Sequence, residues 1–285
     1  ILESMRPGFS DADFRRATIV QSLIDHGINR SDIRVEYLDL DVNRDTAHRN
    51  NLIRMLQHKF DLAPPALIVT DQRPAYDFLN NEGSKFHPRV PVLAFLDNAR
   101  PLPVSGRPWV RIVEESGLQA TAALIMRVLP NTRHLLVVVS DGTDVPVTVE
   151  SIQTAVRPSA APPIIELTHD LSYEQMLHRV GALGKGSVVL FPGDYIRDRN
   201  GRSFASQDVA TEVGKAASVP VFGTRDVYVQ NGFFGGRAVD AVATGRLVAN
   251  LILEHVARRQ PFPSAGLTFP AISRDMIDWR QLLRW

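Results

Sequence analysis

The chain has 285 residues, of which 44% are hydrophobic and 22% charged, and its formal net charge is +1. This is the composition of a folded soluble protein rather than a disordered one, and the length suits two domains of ordinary size. The near-zero net charge excludes a general attraction to nucleic acid or anionic lipid, the absence of cysteine excludes disulfides and thiolate chemistry, and no run of about 18 apolar residues is present to cross a membrane.

Helices and short strands alternate along the first part of the chain. Ser10 is a suitable N-cap, acidic residues follow it, and Gly27 ends the helical pattern. The predicted elements are a strand stub at Ile1–Leu2, a helix over Ser10–His26, a strand over Ile33–Leu40, a helix over Thr46–Phe60, a strand over Ala66–Val69, a short helix over Pro74–Asn81 and a strand over Val90–Leu96.

The same alternation restarts at Gly117. Asn200-Gly201 between polar arms predicts a hairpin there rather than a site. The predicted elements are helices over Gly117–Leu129, Val145–Val156, Ser172–Leu183 and Ser206–Ala217, strands over Leu135–Val139, Ile164–Leu167, Ser187–Phe191 and Val219–Phe222, and a final long helix over Arg237–Arg259.

The strands are continuous apolar runs separated by helices, which predicts parallel sheets covered on both faces. Two such runs predict an α/β fold of two doubly wound lobes. The final helix needs a sheet to cover, and we expect it to return to the first lobe. We therefore predict an N-terminal lobe over 1–100, completed by 230–260, a C-terminal lobe over 108–225, and a last crossing with a C-terminal extension over 261–285.

Polar residues follow nearly every predicted strand. In open α/β sheets, ligands bind beyond the carboxyl ends of the strands. A polar residue at a strand end also caps the following helix, so each residue alone has a structural explanation. Together they favour a binding cleft, and helix N-termini facing it would suit an anionic group. The loops concerned are Glu3–Phe9, Thr70–Gln72, Asp97–Asn98, Ser140–Thr143, Pro192–Tyr195 and Thr224–Asp226.

The sequence predicts no catalytic residue, metal site or cofactor. It has no nucleophile elbow, no phosphate-binding loop and no dinucleotide fingerprint, and its eight histidines are scattered. The segment Asp39–Asp45 begins like a calcium loop, but Arg44 replaces the required glycine and Asn50 the final glutamate. The pairs Arg15-Arg16 and Arg258-Arg259 lack interleaved aromatic residues and are interpreted as solvated faces.

Gly235-Gly236 is the most distinctive local feature. Ala238, Ala241, Ala243 and Gly245 follow it and keep the predicted long helix slim on one side. One interpretation is close packing of this helix on a sheet. The other is a flexible backbone at a crossing between lobes. The sequence alone leaves both open.

These features resemble those of a known family. The segments that carry the resemblance to type I periplasmic binding proteins are Phe222–Thr224, Gly232–Arg237 and Ala243–Leu247. With the opening Glu3–Pro7 and the closing Phe269–Pro270 and Asp278–Trp285, the sequence looks like the ABC-transporter substrate-binding-like domains of bacterial sensor histidine kinases and related receptors.

The resemblance implies two lobes joined by a three-strand hinge and a small organic ligand bound between them. The hinge would fall near Leu96–Arg107, Thr224–Gly232 and Pro261–Pro270. By position, the ligand-binding residues would be Ser4, Met5, Arg6, Phe9, Asp71 and Asn98 on one lip, Asp141, Tyr195, Arg225 and Asp226 on the other, and Phe233 near the cleft.

The leading hypothesis is therefore the extracytoplasmic, periplasmic sensor domain of a membrane signalling receptor, which closes around its ligand. A solute-binding protein of an ABC transporter is the alternative, followed by the effector-binding core of a repressor and, last, an enzyme. We expect a small carboxylate-bearing metabolite as ligand, and the nearby aromatic side chains would also permit an aromatic one by stacking. We expect no nucleic-acid partner, and either a membrane tether or docking to a transporter, with homodimerisation left open. The ends at Ile1 and Trp285 suggest a processed protein or a segment of a longer one.

Overall fold

The computed structural model describes residues 1–8, 10–40, 43, 45–82, 88–96, 107–114, 117–193, 196–262 and 266–285. Contacts between residues divide the chain into two compact units. Unit 1 comprises Ile1–Glu115 and Ala241–Ile272, and unit 2 comprises Ser116–Asp240 and Ser273–Trp285. The chain therefore passes from one unit to the other three times.

Unit 1 is built on a six-stranded sheet in which every pairing is parallel. Its strands are β1 (Leu2–Glu3), β2 (Glu36–Tyr37), β3 (Ile68–Asp71), β4 (Val92–Leu96), β5 (Trp109–Val113) and β13 (Leu267–Pro270). They lie in the order β13-β5-β4-β3-β1-β2, so β3 occupies the middle of the sheet. Parallel pairing brings the carboxyl ends of all six strands to the same edge.

Helices cover both faces of this sheet. They are α1 (Ser10–Asp25), α2 (Thr46–Leu62), α3 (Gln72–Glu82) and α8 (Ala241–Val256), with a 3-10 turn at Arg30–Asp32. On one face, Leu56 and Phe60 of α2 and Phe78 of α3 bury their side chains in a core shared with the strands. On α8, a Cβ at Gly245 would lie 2.8 Å from the carbonyl oxygen of Arg15, so α1 and α8 pack at close range there.

Unit 2 has its own six-stranded sheet, in the order β14-β12-β11-β8-β6-β7. The strands are β6 (His134–Val137), β7 (Ile164–Leu167), β8 (Ser187–Phe191), β11 (Val221–Gly223), β12 (Gly235–Val239) and β14 (Ser273–Ile277). The edge strand β14 runs antiparallel to β12, and the other pairings are parallel. A separate antiparallel hairpin joins β9 (Ile196–Arg197) to β10 (Ser203–Phe204).

Two buried clusters flank the sheet of unit 2. One contains Phe191, Val209 and Val213, and the other contains Ile125 and Ile152 with residues of the strands. The helices of the unit are α4 (Gly117–Val128), α5 (Val145–Val156), α6 (Tyr173–Gly181), α7 (Ser206–Ala216), a 3-10 helix (Asp226–Asn231) and α9 (Trp279–Leu282). The predicted fold class, with mostly parallel sheets covered on both faces, is confirmed, and so is the hairpin around Asn200-Gly201.

The long helix predicted over Arg237–Arg259 is wrong at its start. Gly235–Val239 forms strand β12, and the helix begins only at Ala241. The two glycines allow β12 to pack closely against its neighbouring strands, because a Cβ on Gly236 would overlap the carbonyl oxygen of Gly223 in β11. The prediction that Gly245 packs this helix against a sheet is wrong in its partner, because a Cβ there would meet Arg15 and Thr18 of helix α1.

Other elements also differ from the prediction. The strand predicted over Ile33–Leu40 is only two residues long, and strands β5, β13 and β14 were not predicted. The predicted lobe bounds of 1–100 with 230–260, 108–225 and 261–285 differ from the observed division for a related reason. Strand β5 joins the sheet of unit 1, whereas β12 and β14 join that of unit 2.

Candidate ligand-binding site

A buried ion pair lies at the carboxyl edge of the unit 1 sheet. Arg15 of α1 donates from Nη2 to both carboxylate oxygens of Asp71, at 2.7 and 2.8 Å. The Arg15 side chain is only 2% exposed, and its guanidinium carbon lies 3.9 Å from the ring centre of Phe95. Burial alone would lower the pKa of Arg15, but the carboxylates of Asp71 and Asp11 reverse the effect and raise it. The Arg15 guanidinium therefore keeps its charge, and its two hydrogen bonds to one side chain fix its position.

Glu3, at the end of β1, adds a second buried carboxyl beside Asp71. Its residue is 3% exposed. Burial raises the pKa of Glu3 to about 9, and the neighbouring Asp71 carboxylate adds to this by repulsion and by a hydrogen bond between the side chains. At neutral pH, Glu3 is therefore protonated and donates to Asp71. Arg16 approaches the same carboxyl, with its Nη1 3.9 Å from Oε1 of Glu3.

Replacing Glu3 with glutamine should change how stability depends on pH. Because the folded protein holds this proton up to about pH 9 and the unfolded chain releases it near pH 4.5, the free energy of unfolding should fall as pH rises between these values, by at most about 1.4 kcal/mol per pH unit. Glu3→Gln should remove this slope, matching the parent at pH 5 and exceeding it at pH 8. Urea unfolding at both pH values tests this, with exposed Glu254→Gln as control; equal slopes in parent and Glu3→Gln would contradict it.

Ser4 ties the end of β1 to the start of α3. Its hydroxyl donates to the carbonyl oxygen of Asp71 at 2.6 Å and accepts from the backbone N–H of Ala75 at 2.9 Å. The second bond is the one a capping side chain usually makes. Asp71 directly precedes α3 and would be the usual capping residue, but its carboxylate binds Arg15. The cap of α3 therefore comes from Ser4, which follows the neighbouring strand β1. Ser4 is 1% exposed, so its role in the free protein is structural.

Removal of the Ser4 hydroxyl should destabilise unit 1. We expect Ser4→Ala to lower the free energy of unfolding by about 1–2 kcal/mol, since it removes a helix cap and leaves a buried N–H without its partner. Urea unfolding measures the change. Ser31→Ala, at an exposed position, should cost less than about 0.5 kcal/mol. A loss in Ser4→Ala no larger than in this control would refute the capping role.

The remaining predicted residues of this edge occupy different environments. Met5 is half-buried and Arg6 is exposed, both in the segment that follows β1. The backbone N–H of Gly8 donates to the Asp13 carboxylate at 2.8 Å, which fastens this segment to α1. Phe9 and Asn98 lie outside the described residues. As ligand contacts, Ser4, Met5, Arg6, Phe9, Asp71 and Asn98 all stay predictions.

In unit 2, hydrogen bonds join the carboxyl end of β6 to the hairpin that follows β8. The N–H of Arg197 donates to the Ser140 hydroxyl at 2.8 Å, and the N–H of Asp141 donates to the carbonyl of Arg197 at 2.7 Å. The Asp141 side chain is exposed at this edge. Tyr195 lies outside the described residues. The structure thus brings Asp141 next to the hairpin and leaves its carboxylate facing solvent.

Arg225 and Asp226 follow β11 at the same edge of unit 2, and both are half-buried. A Cβ on Gly193 would lie 3.2 Å from Nε of Arg225, so the arginine lies alongside the backbone at the end of β8. The hydroxyl of Tyr228 donates to the Gly193 carbonyl at 3.1 Å. Gly193 has a φ of +86°, which favours glycine in this crowded turn.

Phe233 lies in the interior of unit 2. Phe233 is 0% exposed, and its ring packs edge-on against that of Phe191 with the ring centres 5.8 Å apart. Tyr228 is a further neighbour at 5.6 Å. These contacts make it a core side chain in this structure. Its contact with a ligand, like those of Asp141, Tyr195, Arg225 and Asp226, stays a prediction.

The interpretation of Arg15-Arg16 as a solvated face is wrong for Arg15. The sequence carried one signal for its burial: Arg15 stands on the same helical stripe as the buried residues Ala12, Ile19 and Leu23. An arginine within an apolar stripe needs a buried acid, and Asp71 ends a strand that is buried throughout. Among the described residues, no group of three or more histidine or acidic side chains is placed to hold a metal ion.

Comparison with known proteins identifies the fold. No family model and no curated protein matches the sequence. An ABC domain from Streptococcus pneumoniae, solved in complex with L-Trp, aligns with a TM-score of 0.68 and 14% identity over 99% of this chain and 92% of its own. A ligand-free substrate-binding protein from Clostridium difficile aligns with a TM-score of 0.66 and 11% identity over 99% and 92%. The chain has the type I periplasmic binding protein fold.

Solved structures with different roles share this periplasmic binding protein fold. The fructose-binding periplasmic domain of a hybrid two-component system aligns with a TM-score of 0.61 and 9% identity, over 99% of this chain and 91% of its own. The parallel strands whose carboxyl ends carry the residues described above therefore belong to a scaffold known from ligand-binding proteins. In the part of the chain that the structure covers, no helix is both long and apolar enough to span a membrane.

Proposed function

We propose that this protein is the extracytoplasmic ligand-binding domain of a membrane signalling receptor, of the kind carried by sensor histidine kinases, and that it binds a small organic carboxylate. The observation that carries the proposal is the fold shared with the L-Trp-bound domain over 99% of this chain. The hybrid two-component system supplies the sensor precedent, since its periplasmic domain has the same fold.

The carboxylate follows from the chemistry at the strand ends. Arg6 is exposed after β1, and Arg225 lies beside the backbone at the end of β8. An arginine at such an edge can hold a carboxylate through two parallel hydrogen bonds. Helix N-termini following the strands favour the same charge. L-Trp, the ligand named for the similar domain, is itself an aromatic carboxylate.

In this proposal the ligand binds at the carboxyl ends of the strands and signals by favouring one of two conformations of the protein. Ligand binding can shift such an equilibrium only by as much as its affinity differs between the two conformations. The residues we propose as contacts are those predicted from the sequence whose side chains are accessible in the structure: Met5, Arg6, Asp141, Arg225 and Asp226.

A solute-binding role in an ABC transporter is the second candidate. The two solved proteins with TM-scores of 0.68 and 0.66 are described as an ABC domain and a substrate-binding protein. Both roles need the same binding chemistry, so binding data alone cannot separate them. The full coding sequence of the gene separates them. A coding sequence that continues into an apolar span of about 20 residues and a kinase module would support the sensor role. A lipoprotein signal upstream and a stop codon soon after Trp285 would overturn it in favour of the transporter component.

A thermal-shift screen tests the binding proposal. The purified protein is heated with aromatic and aliphatic carboxylates, with sugars, and with divalent metal ions. We expect at least one carboxylate to raise the melting temperature, since a ligand at 100 times its Kd stabilises the folded state by about 2.7 kcal/mol. A rise with sugars or metal ions alone would overturn the carboxylate proposal.

Variants at the two arginines locate the site. Arg6→Ala and Arg225→Ala should each weaken binding of the stabilising carboxylate by about tenfold or more, as expected for loss of a charge-assisted hydrogen bond. Arg258→Ala, at an exposed position just beyond α8, is the matched control and should bind like the parent. Unchanged binding in Arg6→Ala or Arg225→Ala would remove that residue from the site.

A further inference from the structure

The backbone at the end of β3 is strained at Gln72. This residue has a φ of +68°, in the left-handed region that glycine adopts freely and other residues rarely do. Holding such a conformation costs free energy, and residues of this kind concentrate at functional sites. Gln72 directly follows Asp71, in the middle of the unit 1 sheet and at its carboxyl edge. The strain therefore lies where this fold is expected to meet its ligand.

The side chains of Asp71 and Ser4 at this edge are already engaged, but that of Gln72 is not. Oγ1 of Thr70 and Nη1 of Arg73 are also buried without a hydrogen-bond partner among the described residues. The Asp71 carboxylate binds Arg15, and the Ser4 hydroxyl caps α3. Gln72 is half-buried, and the hydrogen bonds made by the described residues include none from its amide. Neither the core nor the helix cap thus requires glutamine at this position.

Near the same edge of the unit 1 sheet, one buried N–H donor group of Arg15 has no hydrogen-bond partner in the part of the chain that the structure describes. This group is Nη1, and the Asp11 carboxylate lies 4.0 Å from it. Beside it is a cavity of about 10 Å³, lined in part by Glu3, Asp71 and Phe95. This is room for one water molecule, which would accept a hydrogen bond from Nη1. Arg15 is therefore occupied by Asp71 and by this water position, which leaves the amide of Gln72 open to a ligand.

We propose that Gln72, and not Asp71, is the residue at the end of β3 that contacts the ligand, and that its left-handed backbone aims the amide at the ligand. This inference rests on the proposed function and deepens it. An amide both donates and accepts, so it can recognise a ligand's carboxylate or its amino or hydroxyl group. Gln72 then acts as a specificity-determining residue, and the pair of Arg15 and Asp71 fixes its position.

The test separates backbone strain from ligand contact. Gln72→Gly removes both the strain and the amide, whereas Gln72→Ala removes the amide alone. Arg259→Gly is the matched control, because Arg259 has a φ of +52° just beyond the end of α8, away from the strand ends. The probe is an equimolar mixture of the common L-amino acids with benzoate, phenylacetate and indole-3-acetate, and bound compounds are quantified after equilibrium dialysis.

We expect Gln72→Gly and Arg259→Gly both to raise the midpoint of urea unfolding without ligand. Gln72→Gly and Gln72→Ala should both bind about tenfold or more weakly than the parent, and Arg259→Gly should bind like the parent. Gln72→Asn, which keeps an amide and tolerates the left-handed region, should recover part of the affinity. If Gln72→Gly does not fold, the Ala and Asn variants decide.

The failures are distinguishable. Parent-like binding by Gln72→Ala would overturn this inference and leave the proposed function standing. A lowered unfolding midpoint in a folded Gln72→Gly protein would overturn the strain argument. If the parent binds no member of the mixture, the proposed carboxylate function fails, and the inference fails with it.

Discussion

Replacing Gly236 with alanine should prevent the sheet of unit 2 from forming in its native register. The added Cβ would overlap the carbonyl oxygen of Gly223 and lie 2.9 Å from its carbonyl carbon. Both obstacles are backbone atoms of β11, which lies between β8 and β12 and cannot move aside without breaking its pairings. Overpacking a core costs about 1–3 kcal/mol when side chains can yield. Since only backbone is available to yield, we expect a loss of more than about 4 kcal/mol.

Urea unfolding followed by circular dichroism measures this effect, and Gly184→Ala is the matched control. Among the described residues, apart from its two chain neighbours, none has a heavy atom within 4 Å of a Cβ built at Gly184. Its substitution should therefore change the free energy of unfolding by less than about 1 kcal/mol. A Gly236→Ala protein within about 1 kcal/mol of the parent would show that β11 and β12 are not packed as closely as described.

Replacing Arg15 with methionine should destabilise unit 1 nearly as strongly. The variant keeps the volume of the side chain but leaves Asp71, which is 5% exposed, without its cation and beside a second carboxyl. Removal of one partner from a buried ion pair typically costs about 3–5 kcal/mol, because the other charge stays desolvated. We expect a loss in this range in urea unfolding at pH 7.

A double variant separates two free energies: the net contribution of the ion pair to stability, and the cost of leaving one buried charge without its partner. Arg15→Met combined with Asp71→Leu removes both charges, and we expect it to recover a large part of the lost stability. Arg54→Met is the control; Arg54 is exposed on α2 and donates to Asn51 on the same helix surface, so a cost of about 1 kcal/mol or less is expected. If Arg15→Met costs no more than Arg54→Met, the buried pair does not hold unit 1 together.

Local patterns predicted the elements whose causes are local. The apolar stripe of α2, the cap at Ser172 and the Asn200-Gly201 turn each lie within a few residues of the structure they specify. Strand β13 is different, because its pairing with β5 joins Thr268 to Arg111 across most of the chain. Its exposed, partly polar residues show no alternation from which an edge strand could be predicted.

In the candidate site, too, some positions could be predicted from local sequence patterns and others could not. The position of Asp71 at a strand end could be predicted, since it follows an apolar run. Its partner Arg15 stands 56 residues earlier on a helix, and no local pattern links the two. Gly235-Gly236 was ambiguous for a similar reason: the glycines are required by Gly223 and Met276 on neighbouring strands, which only the assembled sheet brings within reach. The strain at Gln72 is a property of the backbone and has no counterpart in residue type.

Our proposal that this protein binds a carboxylate is tested most directly by isothermal titration calorimetry. The purified protein is titrated with the carboxylate that gives the largest thermal shift and, separately, with the methyl ester of that compound. We expect one ligand bound per chain and an affinity for the ester that is lower by about tenfold or more, since the ester lacks the charge held by arginine. Equal affinity for acid and ester, or no heat of binding with either, would contradict it.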